Sequence, residues 1–290
     1  MTTLAADHAA CAALLGRSGS NFALPIRLLP SSKRQGTTAL YAFCRLADDL
    51  VDDQPDIEIA RRSVDRVRAD LQDALTGGEV AEPILRALAD TVRRFAVPTV
   101  HLHEILDGVL MDLDRQAYGT FDDLRQYCHR VASAVGLAAI HIWGFRSDDA
   151  LLPADACGLA FQLTNILRDI PEDLARGRIY LPAEDFEACA CSIDDLKAGR
   201  IGSSFDRLAA MQVERAESFY DRARPLDALL STDGRIVVRA MFGIYRGLLN
   251  SVRRAGSGIF TSKVRVSKLS LIGNGLTTLA LGTAPGRYLR

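Results

Sequence analysis

The 290-residue chain is 48% hydrophobic and 24% charged, a balance that suits a sizeable folded core and excludes an intrinsically disordered chain. Its 35 basic and 36 acidic residues nearly cancel, so no global field draws it to nucleic acid or to an acidic surface. Any electrostatic function must come from local clustering.

In chain order, the first thirteen residues lack the basic start and long apolar centre of a signal peptide, which predicts a cytoplasmic protein. Helical periods then follow one another. Ala39, Ala42, Phe43, Leu46 and Leu50 recur at three- and four-residue steps, as do Val64, Val67, Leu71 and Leu75, then Ile84, Leu85, Leu88 and Val92. Breakers separate them at Leu29-Pro30-Ser31-Ser32, Gly77-Gly78, Val97-Pro98, Tyr118-Gly119-Thr120, Arg146-Ser147, Gly177 and Asp233-Gly234, with Ser31 or Ser32 as a helix cap. Alternating strand patterns are nearly absent. Residues 155–170 are apolar on almost every side, which predicts a central helix enclosed by the others. With no composition shift, long linker or internal repeat, residues 1–290 read as one all-α domain.

No run approaches the ~20 apolar residues needed to span a bilayer, so no transmembrane segment is expected. The segment Leu269 to Gly282 reads as a core helix, with peripheral contact to a membrane as the alternative. The six cysteines (Cys11, Cys44, Cys128, Cys157, Cys189, Cys191) lack a paired framework and read as reduced, small apolar residues. His101 and His103 point different ways on a helix and read as surface or boundary residues rather than ligands.

Two constellations carry chemistry. The first is Tyr41-Ala-Phe-Cys-Arg45-Leu-Ala-Asp48-Asp49-Leu-Val-Asp52-Asp53. Asp48 and Asp52 project from one helix face, with Arg45 and Tyr41 one and two turns earlier. At ~6 Å and an effective dielectric of ~20, their repulsion is roughly 3 kcal/mol, which a hard cation with oxygen ligands would relieve. The bland alternative is a solvated acidic helix end.

The second constellation reads Gln162-Leu-Thr-Asn165-Ile-Leu-Arg168-Asp169-Ile-Pro-Glu172-Asp173. At 100° per residue, Gln162, Asn165, Asp169 and Asp173 lie within roughly 80° of one another on an otherwise apolar helix. Buried amides and acids need partners, either a hydrogen-bond network or a ligand. Pro171 predicts a kink or an end near Asp169 to Ile170, with Asp173 on a bent continuation. Lys33, Arg34, Arg45, Arg168, Arg176 and Arg178 flank the clusters, and arginine suits phosphate oxygens. Together the two stretches predict two walls of one metal–diphosphate site.

These stretches resemble the squalene and phytoene synthase family, the head-to-head prenyl synthases. Arg176-Gly-Arg-Ile-Tyr-Leu-Pro182, Phe22, Arg27-Leu-Leu-Pro30, Asp107-Gly-Val-Leu-Met-Asp112, Tyr127 to Gly136 and Tyr245-Arg246 extend the resemblance over nearly the whole chain. It implies an all-α isoprenoid synthase fold, a helical bundle around a central cavity, and Mg²⁺ bound by both motifs. It places Asp48, Asp49, Asp52, Asn165, Asp169 and Asp173 in the metal shell, and Arg45, Gln162, Asn165 and Arg168 against diphosphate. Tyr41 would line the cavity near the reacting carbons, with Tyr245 and Arg265 as weaker substrate contacts. Tyr41 and Phe43 are the aromatic faces available to a cation.

The implied reaction joins two prenyl diphosphates. Two farnesyl (C15) chains giving presqualene diphosphate are favoured over two geranylgeranyl (C20) chains giving phytoene, and Ile26 and Thr38 are expected at the tunnel floor. NADPH finds no Gly-x-Gly-x-x-Gly in this sequence, which leaves binding on a helical surface open. Chain-elongating synthases and terpene cyclases share the acidic-helix logic without the Gln-x-x-Asn-x-x-Arg run. From another class, an inactive helical scaffold binding lipids or partners remains as the rival. The sequence sets no oligomeric state.

Overall fold

The computed structural model describes residues 3–20, 22–52, 56–114 and 117–261, the side chain of residue 52 excepted. Asp53, Arg265 and the apolar segment Leu269 to Gly282 lie outside the described residues.

The described residues form helices and turns, joined by one isolated antiparallel bridge between Phe145 and Leu230. Helices α1 (Leu4–Arg17), α2 (Ala23–Arg27), α3 (Ser31–Asp52), α4 (Ile57–Thr76), α5 (Pro83–Phe95) and α6 (Thr99–Asp114) make up the first half. Then come α7 (Phe121–Cys128), a π-helical turn (His129–Ser133), α8 (Ala134–Trp143) and α9 (Leu151–Ala175). Short α10 (Ala183–Ala188), α11 (Ile193–Lys197) and α13 (Leu226–Leu229) accompany the long α12 (Ser203–Ala223) and α14 (Thr232–Ala255).

Most boundaries follow the breakers. Gly77 adopts a left-handed φ of 91° and closes α4, while Asp56 caps its start by accepting from the Glu58 and Ile59 amides. Asp233-Gly234 is different: it lies inside the first turn of α14, whose Ser231 cap accepts from Gly234 N. The expected break there falls two residues earlier, because the capping serine rather than the glycine decides where the helix starts.

At Pro171 the helix does not end. Helix α9 continues through it to Ala175, so Asp173 stays on the same helix as Asp169. Proline costs about 3 kcal/mol in a helix interior. Leu159, Leu163, Ile166, Leu167 and Ile170 are all buried, and packing of α9 against α8, α12 and α14 outweighs that loss.

Helix α9 is the expected central helix. By length and apolarity Asp148–Ala175 meets the test for a membrane-crossing segment, yet 72% of that apolar window is buried within the fold. Helices α3 and α9 each pack on α8. That arrangement holds the two chemistry-bearing helices as facing walls with α8 between them.

Helix α9 approaches the π-helical turn closely at Gly158. A Cβ added to Gly158 would sit 2.4 Å from Ser133 Cα and 2.6 Å from Ser133 N, so this crossing requires glycine. Ser133 Oγ donates to the Asp155 carbonyl at 2.8 Å, and His129 Nδ1 meets Asp155 Oδ1 at 2.6 Å, fastening the turn to α9. The six cysteines form no disulfide; four are buried and two partly buried, as small apolar residues would be.

Candidate active site

A cavity of about 510 Å³ lies between α3, α8 and α9, with α2 and α14 completing its wall. Helix α3 contributes Thr37, Leu40, Tyr41, Cys44, Arg45 and Asp48, which share one face at three- and four-residue steps. Helix α9 contributes Ala154, Cys157, Gly158, Phe161, Gln162, Asn165 and Arg168 in the same rhythm. On both helices the charged and amide residues come at the C-terminal end of the lining. The result is an apolar pocket with a polar mouth.

Five of the expected residues therefore converge: Arg45 and Asp48 from one wall, Gln162, Asn165 and Arg168 from the other. Tyr41 and Tyr245 line the same cavity. Asp49 and Asp169 are not on its lining but pair with the lining residues Arg45 and Arg168, Asp173 lines a separate small cavity with Arg178 and Tyr180, and the Asp52 side chain and Arg265 are outside the described residues. Arg45 pairs with Asp49 at 2.6 Å, and Arg168 grips Asp169 through Nε at 2.7 Å and Nη2 at 2.5 Å. Each wall thus carries one arginine–aspartate pair.

The amide Asn165 Nδ2 donates to Gln162 Oε1 at 3.4 Å, while Asn165 Oδ1 is buried without a hydrogen-bond partner. An orphaned buried oxygen is costly unless a ligand completes it. Among the described residues no three His, Cys, Asp or Glu side chains converge closely enough to hold a metal ion by themselves. The carboxylates stand on opposite walls instead.

Burial pushes the Asp173 carboxyl up to about 6, aided by repulsion from Asp169 and opposed by Arg178 and Arg176. Burial also pushes up the Tyr245 hydroxyl, against the pull of the Asn165 amide and the Arg168 charge. The thiols of Cys44 and Cys157, both on the cavity wall, are raised well above the usual range by burial. They stay protonated and poorly nucleophilic.

Aromatic faces form a connected wall that the sequence did not mark. Phe161 stacks on Tyr245 with centroids 4.3 Å apart and planes 14° apart, while Phe22 bridges Tyr245 and Tyr41 at 6.0 and 6.4 Å. In the sequence Phe161 looks like any apolar residue of a core helix. Phe43, by contrast, is fully buried away from the lining and serves packing alone.

Three further expectations are corrected. Thr38 is buried but does not line the cavity; its neighbour Thr37 does, and Ile26 lines it as expected. Helix α3 rotates 100° per residue, so one position decides which side chain faces the pocket. Lys33 serves the opposite end from the acidic cluster, donating to the Trp143 carbonyl at 2.6 Å and to Asp233 at 2.9 Å. Arg34 likewise lies near that end, where it reaches the Leu29 carbonyl at 3.4 Å.

Comparison with known proteins agrees with this geometry. The family model described as squalene/phytoene synthase matches residues 15–270. A phytoene synthase of Arthrospira platensis is 34% identical over 88% of this chain and 87% of its own. The chain spans a smaller share, 63%, of the chloroplastic phytoene synthase 1 of Arabidopsis thaliana. Among solved structures, a dehydrosqualene synthase in complex with ligand superposes with a TM-score of 0.87 at 31% identity, covering 96% of this chain and 97% of that one. The squalene synthase HpnC from Alicyclobacillus acidocaldarius gives 0.73 at 31% identity, over 89% and 93%. The helical cavity, its two polar-mouthed walls and the match across the chain agree: this protein belongs to the squalene/phytoene synthase family, prenyltransferases that join prenyl diphosphates head to head.

Proposed function

We propose that this enzyme joins two farnesyl diphosphates head to head to give presqualene diphosphate, using Mg²⁺. The observation that carries the reading is the convergence of Arg45 and Asp48 with Gln162, Asn165 and Arg168 at the mouth of one apolar cavity.

Cavity depth supports the C15 chain. The lining of α3 from Asp48 to Thr37 spans roughly 16 Å at 1.5 Å per residue. At about 1.25 Å per bond along a zigzag of ~1.5 Å bonds, an extended farnesyl chain reaches roughly 14 Å and a geranylgeranyl chain roughly 19 Å. The names of the relatives point both ways, to phytoene and to squalene-type synthases. Product analysis after incubation with each diphosphate separately, plus Mg²⁺, with and without NADPH, tests the reading. A cyclopropyl C30 diphosphate is expected from farnesyl diphosphate. A C40 product formed faster from geranylgeranyl diphosphate would replace it with the phytoene reading.

The donor set fits a hard cation. Asp48, Asp49, Asp52, Asn165, Asp169 and Asp173 offer only oxygen, and Asn165 Oδ1 is buried and unpaired. Dispersed carboxylates suit Mg²⁺, which fills its shell with waters and substrate phosphates. When bound, the ion would neutralise the charge of the leaving diphosphate.

The chain's own residues do the rest. Arg45 and Arg168, released from their aspartates, bind free phosphate oxygens. Leu40, Val135, Ala139 and Ile140 align two chains side by side and exclude water, which would capture an allylic cation. Tyr41, Phe22, Phe161 and Tyr245 offer ring faces to that cation, while protonated Cys44 and Cys157 do not trap it.

Asp173 adds a pH dependence. Its carboxyl is raised to about 6, so protons compete with metal below that value. Apparent Mg²⁺ affinity should be flat above pH 7 and fall by up to about tenfold per unit below 6. Calorimetric Mg²⁺ titrations between pH 5 and 8 check this. An affinity independent of pH would remove Asp173 from the metal shell.

A further inference from the structure

At the end of the cavity opposite Asp48 stands Trp143, the chain's single tryptophan, and it is held unusually tightly. Its indole Nε1 donates to Thr37 Oγ1 at 3.0 Å, within the buried core. That hydroxyl in turn donates to the Lys33 carbonyl at 2.8 Å, so it has no other proton to offer the indole or a ligand. The Trp143 carbonyl accepts from Lys33 Nζ at 2.6 Å and from Ser231 Oγ at 2.5 Å. On the remaining side Gly234 packs so close that a Cβ there would lie 2.8 Å from Trp143 Cβ. Helix α3 thus holds the ring through Thr37, while Lys33, Ser231 and Gly234 fix the backbone and Cβ of Trp143 at the end of α8.

A prenyl tail has no polar group by which its length can be recognised. Discrimination between chains must come from what the last carbons strike. A flexible aliphatic floor would yield to one more isoprene unit by changing rotamer; an indole bonded through its own N–H cannot move without leaving a buried donor unpaired. We propose that Trp143 is the stop that sets prenyl chain length, with Thr37 as the positioning residue that keeps the ring across the tunnel. This inference rests on the prenyl diphosphate reading above.

Because Trp143 is the only tryptophan, its fluorescence reports the floor directly. The non-ionising analogues geranyl, farnesyl and geranylgeranyl thiodiphosphate, added with Mg²⁺ to the full chain, should separate by length. Farnesyl is expected to change the emission. Geranyl, shorter by one unit, should raise the melting temperature yet leave the emission unaltered. The same response to geranyl and farnesyl, or none to farnesyl that binds, would overturn the stop.

The second arm is Trp143→Leu. It keeps both backbone anchors, since Lys33 and Ser231 hold the carbonyl. It should raise the ratio of kcat/KM for geranylgeranyl over farnesyl diphosphate at least tenfold, and Thr37→Val at least threefold. An unchanged ratio in folded Trp143→Leu overturns the inference. Should that variant fail to fold, the ratio in Thr37→Val decides in the same way. If no analogue shifts the wild-type melting temperature, the prenyl diphosphate reading itself falls and takes this inference with it.

Discussion

Asp169→Ala is expected to lower the rate of diphosphate release roughly 10³-fold while leaving helicity at the wild-type level. Asp169 is partly exposed beside the cavity-lining Arg168 and holds it through two bonds, so its removal leaves no large void in the core. What it removes is an oxygen donor on the α9 wall and the partner that orients Arg168. Asp48→Ala, on the α3 wall, should act similarly. If the walls work as one unit, the double variant should be little worse than either single one, since groups that act together are not additive. The assay is diphosphate release with circular dichroism as the control for folding. Full activity in either single variant would exclude a joint metal site.

Gly158→Ala should be among the most destabilising small substitutions in the chain. The new Cβ would fall 2.4 Å from Ser133 Cα and 2.6 Å from its amide nitrogen, both backbone atoms that cannot rotate away. Either α9 moves off the π-turn or the turn itself re-forms, and both break the Ser133–Asp155 bond. Overpacking of this kind costs about 3 kcal/mol or more. A melting temperature lower by roughly 6–12 °C should follow, at about 2–4 °C per kcal/mol for a chain of this size. Gly247→Ala is the matching control. It lies within α14 with nothing within 4 Å of the added Cβ, so it should gain about 1 kcal/mol from helix propensity. Equal melting temperatures in the two variants would contradict the close approach.

Much of this architecture was legible in the sequence because helical periodicity is a local property. The apolar steps of α3, α4, α5 and α9 foretell which faces are buried, and the glycine and proline breakers foretell most of the ends. The polar stripe of α9 is equally local: Gln162, Asn165, Arg168 and Asp169 are partly exposed between buried Phe161, Leu163, Ile166, Leu167 and Ile170. At Pro171 only the expected helix end fails, because packing offsets a local penalty of about 3 kcal/mol. Thr38 misled because one residue of rotation separates a cavity wall from the core. Lys33 misled because nearness in sequence to an acidic cluster says nothing about which end of a 22-residue helix a side chain serves.

By itself the sequence determined the helical class, the two acidic motifs, the oxygen-rich donor set and, through their pattern, the family. Which residues share a cavity, by contrast, was decided only in three dimensions. Phe22, Trp143 and Tyr245 are separated by about a hundred positions each, and no local period links them. Their meeting depends on how α2, α8 and α14 pack around α3 and α9. The orphaned oxygen of Asn165 is likewise a tertiary outcome, whereas the Arg45–Asp49 pair is an i,i+4 contact within α3. Side-chain identity sets what a group can do, and only the packing of the helices sets what it faces.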